Sequence, residues 1–197
     1  MWDQRYSEPG YAYGTAPNDF LREAAGRYLP PGGEVLSLAE GEGRNAVYLA
    51  RHGFRVTGVD SSRVGLDKAR TLAAQHGVEL ATVVADLSSY PLGDERWDGI
   101  VSIWCHTSPV VRIRLHRAVV AALRPGGVFL LEAYTPDQLG RGTGGPPDAA
   151  LMMTLAGLRA ELDGLELIHG EEKVRAVHEG RYHDGPSAVV QVVARKP

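Results

Sequence analysis

The amino-acid sequence predicts an α/β domain of three layers: a doubly wound, mostly parallel seven-stranded sheet between helices, with an antiparallel strand pair at its C-terminal end. Three observations carry that expectation. Short branched-apolar runs alternate with helix-like patterns from residue 34 to residue 134. A glycine-rich turn, GEG, follows the first of those runs, and the last two strand-like runs have no helix between them. Strands separated by helices pair in parallel through right-handed crossovers, whereas strands joined by a turn pair antiparallel.

The first strand is expected at Glu34 to Ala39, EVLSLA, because Pro30 to Gly33 punctuate its start and GEG its end. Asn45 to His52 reads as a short helix with Ala46, Leu49 and Ala50 on its apolar side. A second strand runs from Arg55 to Val59 and closes on Asp60. Ser61 or Ser62 then caps a helix in which Val64, Leu66, Ala69, Leu72 and Ala73 recur at helical spacing before Gly77. ELATVVAD forms the third strand, and RWDGIVSIWC, branched and aromatic throughout, the fourth, buried on both faces. RIRLHRAVVAALRPGG reads as a helix stopped by Pro125 and its glycines, and Val128 to Ala133 as the fifth strand. Beyond the loop GRGTGGPP, a helix is expected over Ala149 to Leu162. Strands at Leu165 to Val177 and Ser187 to Ala194 follow, joined by HEGRYHDGP.

Composition narrows the function classes. A chain of 197 residues, 44% hydrophobic and 23% charged, has room for one sizeable core, and residues 1–197 read as one domain. No apolar run approaches the roughly 20 residues of a membrane helix, and the first 20 residues lack the pattern of a secretory signal. A cytoplasmic address and no membrane partner are expected. The net charge of -3, with acids and bases interspersed, offers no basic field for nucleic acid. Cys105 is the only cysteine, and the seven histidines have no metal-ligand spacing, so no metal is expected. No repeat announces an assembly surface; a monomer is the default and a dimer stays open.

The segment VLSLAEGEGRNAVYLARHGFRVTGVDSS holds the most chemistry. Gly41 and Gly43 lie between a strand and a helix, where missing side chains let backbone approach a ligand. Asp60, ending the next strand, is placed to accept hydrogen bonds from a ribose diol; a dinucleotide site would use the same features, and a solvated carboxylate would use none. Glu40 adds a second acid where a cationic, phosphate-free ligand is more welcome than a pyrophosphate. Asp86 closes the third strand, as an acceptor for an adenine amino group or as a helix cap. Together these acids favour S-adenosylmethionine over a nicotinamide.

At these residues the chain resembles the class I S-adenosylmethionine-dependent methyltransferases, in particular small bacterial tellurite-resistance and thiol-type enzymes. WDQRY, YAYGTAPNDFL, LAEGEGRNAVYLA, VTGVDSS, ADL and LRPGGVFLLEAYTP carry the likeness over nearly the whole chain. The resemblance implies a Rossmann-like methyltransferase fold, Asp60 at the ribose, Ser61 among the cofactor-binding residues, and Asp86 with Leu87 at the adenine. It also implies Arg44 and Asn45 beside the methionine portion, and residues 1–20 as a lid. Arg5, Tyr11 and Tyr13 are the lid residues suited to enclosing an organic ligand with a carboxylate.

Ligands of open α/β sheets bind beyond the carboxyl ends of the strands, which places Trp104, Cys105 and His106 at the same crevice. His106 is the candidate for positioning an acceptor or taking its proton; a structural histidine is the rival reading. Trp104 serves a cofactor edge or the core, and Cys105 reads as packing more readily than as a nucleophile. Tyr134 and His183 narrow an acceptor pocket if their loops fold inward. His116 belongs to sheet packing or the surface, and Arg112, Arg114 and Arg117 to a solvated helix face. The expected activity is methyl transfer to a small molecule, such as a thiol or chalcogen oxyanion. The alternatives are a nicotinamide-dependent dehydrogenase and a non-catalytic S-adenosylmethionine-binding regulator.

Overall fold

The computed structural model describes residues 2–197. Two helices, α1 (Trp2–Tyr6) and α2 (Asp19–Tyr28), precede the sheet. The alternating body follows: β1 (Glu34–Leu38), α3 (Arg44–Arg51), β2 (Arg55–Asp60), α4 (Arg63–Gln75), β3 (Ala81–Val84), β4 (Trp97–Ile103), α5 (Pro109–Ala122) and β5 (Leu123–Tyr134). After α6 (Leu155–Glu161), the chain ends in β6 (Glu166–Glu179) and β7 (His183–Arg195). The strand order is β3-β2-β1-β4-β5-β7-β6, with β7 antiparallel to both neighbours and the other pairs parallel. This is the predicted doubly wound sheet of seven strands.

Period-two alternation sorts each strand's side chains between two faces. On one face Leu36, Leu38, Ile100, Phe129 and Leu131 pack with Leu115 and Val119 of α5 and Leu158 of α6. On the other, Val35, Val101, Val128 and Leu130 meet Phe20 and Leu21 of α2 and Ala46 and Leu49 of α3. Glu132, the next residue of β5 on this second face, is fully buried. The strand order reverses between β1 and β4, which gathers the loops after β1, β2 and β4 at the carboxyl ends, where open α/β sheets place their ligand crevice.

Several boundaries differ from the sequence expectation. The helix expected over Ala149 to Leu162 is broken: a 3-10 turn covers Ala149–Leu151, and α6 starts only at Leu155. Buried Met153 donates its N–H to the Tyr134 carbonyl at 3.0 Å, which takes that backbone group out of any helix, and the Thr154 hydroxyl caps α6 at Gly157 N. Helix α5 starts three residues before RIRLHRAVV, with Pro109 in its first turn, and ends at Ala122, because Leu123 turns extended and pairs with Trp97. Strands β6 and β7 run further toward each other than expected, since Glu179 pairs with His183 and only Gly180, Arg181 and Tyr182 form the turn. The α2 helix was not foreseen. Its N-cap is Asn18, whose Oδ1 accepts from Leu21 N at 2.9 Å. Arg112 is not a solvated face residue: it grips Glu161 with Nε and Nη2 at 3.0–3.2 Å, while Arg114 and Arg117 are exposed. His116 is buried beside the same carboxylate, Nδ1 to Oε2 2.6 Å.

Candidate active site

The bend after β1 needs left-handed backbone at three positions, Ala39, Gly41 and Gly43. At Gly43 (φ +95°) a methyl group would fall 2.6 Å from Ala69 of α4, so the helix packing itself requires a bare α-carbon. At Gly41 (φ +61°) it would fall 2.6 Å from the hydroxyl of Tyr6, which lies directly over the bend. Asp60 stands beside it. Its Oδ2 accepts from Gly41 N and its Oδ1 from Ser62 N, both at 2.8 Å, so the end of β2 is tied to the end of β1. Each carboxylate oxygen keeps a second lone pair for a further donor. Burial pushes the Asp60 carboxyl up, against the two backbone hydrogen bonds that pull it down.

Glu40 does not face the crevice as expected. Its carboxylate is buried, with Oε1 accepting from Ala46 N at 2.9 Å and Oε2 from the Ser37 hydroxyl. It therefore occupies the N-terminus of α3, satisfying an orphan N–H and sitting at the positive end of the helix dipole. Burial raises its carboxyl to about 7, in spite of those hydrogen bonds and the neighbouring Arg44. Asp86 is exposed and accepts from Ser88 N at 2.7 Å, as a turn cap; Leu87 beside it is buried in the core, and Ser61 is exposed at the mouth.

The N-terminal segment closes over this bend through bonds along its length. Asp3 accepts from the Ser62 hydroxyl at 2.5 Å, Ala12 N donates to Glu42 at 2.6 Å, and Lys68 joins Glu42 (2.9 Å) to the carbonyls of Glu8 and Gly10. Arg5 donates to the Tyr13 hydroxyl at 2.8 Å and lies 4.5 Å from the Tyr182 ring centre, in the β6–β7 turn. Arg181 N donates to Ala12 O at 2.9 Å, an approach so close that a side chain at Gly180 would strike that carbonyl. The segment thus bridges the glycine bend and the tip of the last hairpin. Tyr11 rests on α4, its hydroxyl 3.5 Å from Lys68 O.

Beyond the bend lies a buried ionic cluster. Glu179 accepts from Arg44 Nη2 (2.6 Å), Trp104 Nε1 (2.5 Å) and Asn18 Nδ2 (2.8 Å), and Glu132 accepts from Asn18 Nδ2 (2.8 Å), Arg175 and Gln191. Arg44 is thereby committed to protein groups, and Asn45 accepts from Asn18 N at 2.9 Å, fixing α3 to α2. Trp104 (φ +57°) stacks on Tyr134 with ring centres 4.3 Å apart, and the His106 ring lies nearly parallel to Tyr134 at 5.6 Å. Both nitrogens of His106 are engaged: Nδ1 with Trp104 O at 3.2 Å, and Nε2 accepting from Tyr134 N at 3.0 Å. Burial and the nearby His183 push its pKa down to about 4, so it is a neutral brace of the β4 and β5 ends with no lone pair left for an acceptor. Cys105 is buried and its thiol is pushed up to about 12 by burial, which removes it as a nucleophile near neutral pH.

The structure therefore brings together Arg5 with Tyr13; Gly41, Gly43 and Asp60; and Arg44 with Trp104. Glu40 and Leu87 turn inward, and Asp86 and Ser61 stay at the rim. Sequence reasoning missed Tyr6, Glu42, Asn18, Glu132 and Glu179 as parts of the site. Only Glu132 carried a signal, as a lone acid inside the apolar run FLLEAY.

Residues 35–127 match a family model described as a methyltransferase domain. A 2-heptyl-1-hydroxyquinolin-4(1H)-one methyltransferase from Mycobacteroides abscessus is 34% identical over 113 residues, which are 53% of this chain and 50% of that protein. The chain spans about half the length of the curated relatives it matches. Among solved structures, TehB from Haemophilus influenzae superposes with a TM-score of 0.75 at 18% identity, covering 100% of this chain and 66% of that one. The CcbJ methyltransferase from Streptomyces caelestis superposes with a TM-score of 0.72 at 24% identity, covering 100% and 96%. The fold is that of the class I S-adenosylmethionine-dependent methyltransferases, and TehB is one of several comparably similar structures within it.

Proposed function

We propose that this chain transfers the methyl group of S-adenosylmethionine to a small-molecule acceptor. The observation that carries the reading is the glycine bend held against Asp60, with the N-terminus of α3 already filled by the chain's own Glu40. A dinucleotide would need that helix end for its pyrophosphate. Three further carboxylates, those of Asp3, Glu42 and Asp60, lie around the bend, a setting that favours a cation without phosphates.

The residues present fit the donor. Asp60 offers acceptors to the ribose hydroxyls, the rim at Ser61 and Asp86 offers polar groups to the base, and Tyr6, Arg5 and Tyr13 exclude water above it. When bound, the donor supplies an electrophilic methyl on a positive sulfur; the chain has to align an acceptor and keep water out. Arg44 and Arg175 are both spent on buried carboxylates, so among the described residues Arg5, bonded to the Tyr13 hydroxyl, is the cation left beside the aromatic wall to meet a chalcogen oxyanion. An uncharged organic acceptor fits better, as the name of the hydroxyquinolone methyltransferase also suggests.

Calorimetric titration with S-adenosylmethionine and NAD, followed by labelled-methyl transfer to thiols, tellurite, phenols and amines, tests the reading. Donor binding with transfer to an organic acceptor is the expected result. Selective NAD binding would establish a dehydrogenase, and donor binding without transfer across the panel a regulator.

A further inference from the structure

We infer that His183, backed by Glu179, is the proton-accepting group of this site and that the acceptor is a flat aromatic compound carrying a protic hydroxyl. The inference rests on the methyl-donor reading above and adds the acceptor's chemistry to it. His183 opens β7 at the hairpin tip and is 8% exposed, yet its Nδ1 is buried with no hydrogen-bond partner. The Glu179 Oε2 lies 3.9 Å from that nitrogen, one small ring movement from bonding distance. Catalytic hydrogen bonds are commonly this long before substrate arrives. A carboxylate on the Nδ1 side selects the Nδ1–H tautomer and leaves the Nε2 lone pair to accept a proton. Among the described residues Nε2 has no hydrogen-bond partner, in contrast to His106, where both nitrogens are taken.

The surroundings fit that role. The His183 ring lies 4.7 Å from Tyr13, 5.2 Å from Trp104 and 5.3 Å from Tyr134, centre to centre, so the wall beside it is aromatic. The Tyr134 hydroxyl is a second buried polar atom without a partner, and Gly144 roofs both groups: a methyl there would fall 2.7 Å from the Tyr134 oxygen and from His183 Cδ2. The charged and titratable groups facing His183 are Glu179 from β6, Arg44 from α3, Arg5 and Tyr13 from the N-terminal segment, Tyr134 from β5 and His106 after β4. Burial lowers the imidazole's pKa, and Arg44 and Arg5 lower it further, against the pull of Glu179, so the ring is neutral at pH 7 and ready to accept. Burial likewise raises the Glu179 carboxyl, but His183, Arg44 and Trp104 outweigh it and hold it ionised.

In the step, the acceptor O–H proton passes to Nε2 while its oxygen bonds the methyl carbon. The S–CH3 electron pair stays on the sulfur, so the positive charge moves from sulfonium to an imidazolium that Glu179 stabilises and water later deprotonates. A thiol is more acidic than a phenol, and its few per cent of thiolate at pH 7 is strongly nucleophilic, so it needs this pair less.

His183→Gln tests the assignment through three readouts. Transfer to a phenol should fall about 100-fold or more and lose its acidic limb in the pH–rate profile, while transfer to a thiol falls far less and donor affinity is unchanged. In the wild-type protein, the 15N spectrum of the imidazole assigned by that variant should show Nδ1 protonated and Nε2 bare. An Nε2–H tautomer, or phenol transfer with its original rate and pH profile in the variant, would overturn the inference. Failure of the wild-type protein to bind the donor would overturn the methyl-donor reading instead, and the tautomer would still judge the histidine pair.

Discussion

An added methyl group at Gly41 and at Gly43 meets different obstacles, although both residues hold backbone conformations that side chains avoid. Gly43 faces the backbone of α4 at Ala69, which cannot give, whereas Gly41 faces one side chain on a terminal helix. Gly43→Ala should therefore cost about 3 kcal/mol or more, strain and overpacking together, and Gly41→Ala about 1–2 kcal/mol, chiefly by lifting Tyr6. Urea unfolding checks the order; equal losses would contradict the packing described. Both glycines and Asp60 were legible in the sequence because their roles depend on the turn immediately around them. Glu179 was not, since it reaches Arg44 across 135 positions of chain, and nothing local to HEGRYHDG marks it. His106 was legible as a residue at the strand ends, but the sequence could not show that two backbone groups occupy its nitrogens.

At the scale of the element, helix α3 is held by a side chain from outside it. Glu40 takes the Ala46 N–H that the N-cap Gly43, without a side chain, leaves free. Because burial raises its folded-state pKa to about 7 from an ordinary 4.5, the folded chain binds this proton more tightly than the unfolded chain. The resulting stabilisation is full below about pH 4.5 and is lost as pH rises through about 7, at most about 3 kcal/mol in all. Glu40→Gln carries no charge, keeps the bond from Ala46 N at its oxygen and reverses the other, its amide nitrogen donating to the Ser37 hydroxyl. Chemical denaturation at pH 5 and pH 8 should show the wild-type protein losing more stability between them than the variant; parallel losses would show that Glu40 is ionised at no cost. Most elements followed from hydrophobic period alone. The exceptions have tertiary causes: Met153 pairs with Tyr134 and breaks the helix expected from Ala149, and α2 gains its cap and its docking from Asn18, which also bridges Glu132 and Glu179.

For the whole molecule, the N-terminal segment and the tip of the last hairpin meet over the glycine bend and the end of β2. The N-terminal segment spans from Ser62 and Gly41 to the β6–β7 turn, while Arg44 and Arg175 neutralise the carboxylates of Glu132 and Glu179 beneath it and Asn18 donates a hydrogen bond to each. The sheet order and the antiparallel end were legible because helices between strands dictate parallel pairing and a turn dictates a hairpin. This buried cluster was not, because it is made of residues from the α2 cap, α3, the loop after β4, β5, β6 and β7. The account as a whole depends on Asp60 grasping the donor's ribose beside the glycine bend. Calorimetric titration of S-adenosylhomocysteine into wild-type, Asp60→Asn and Asp60→Ala protein, each checked for fold by circular dichroism, measures this directly. Loss of two hydrogen bonds to a carboxylate predicts affinity at least about tenfold weaker for Asp60→Ala, with Asp60→Asn between it and wild type. Wild-type affinity in folded Asp60→Ala protein would contradict the site assignment.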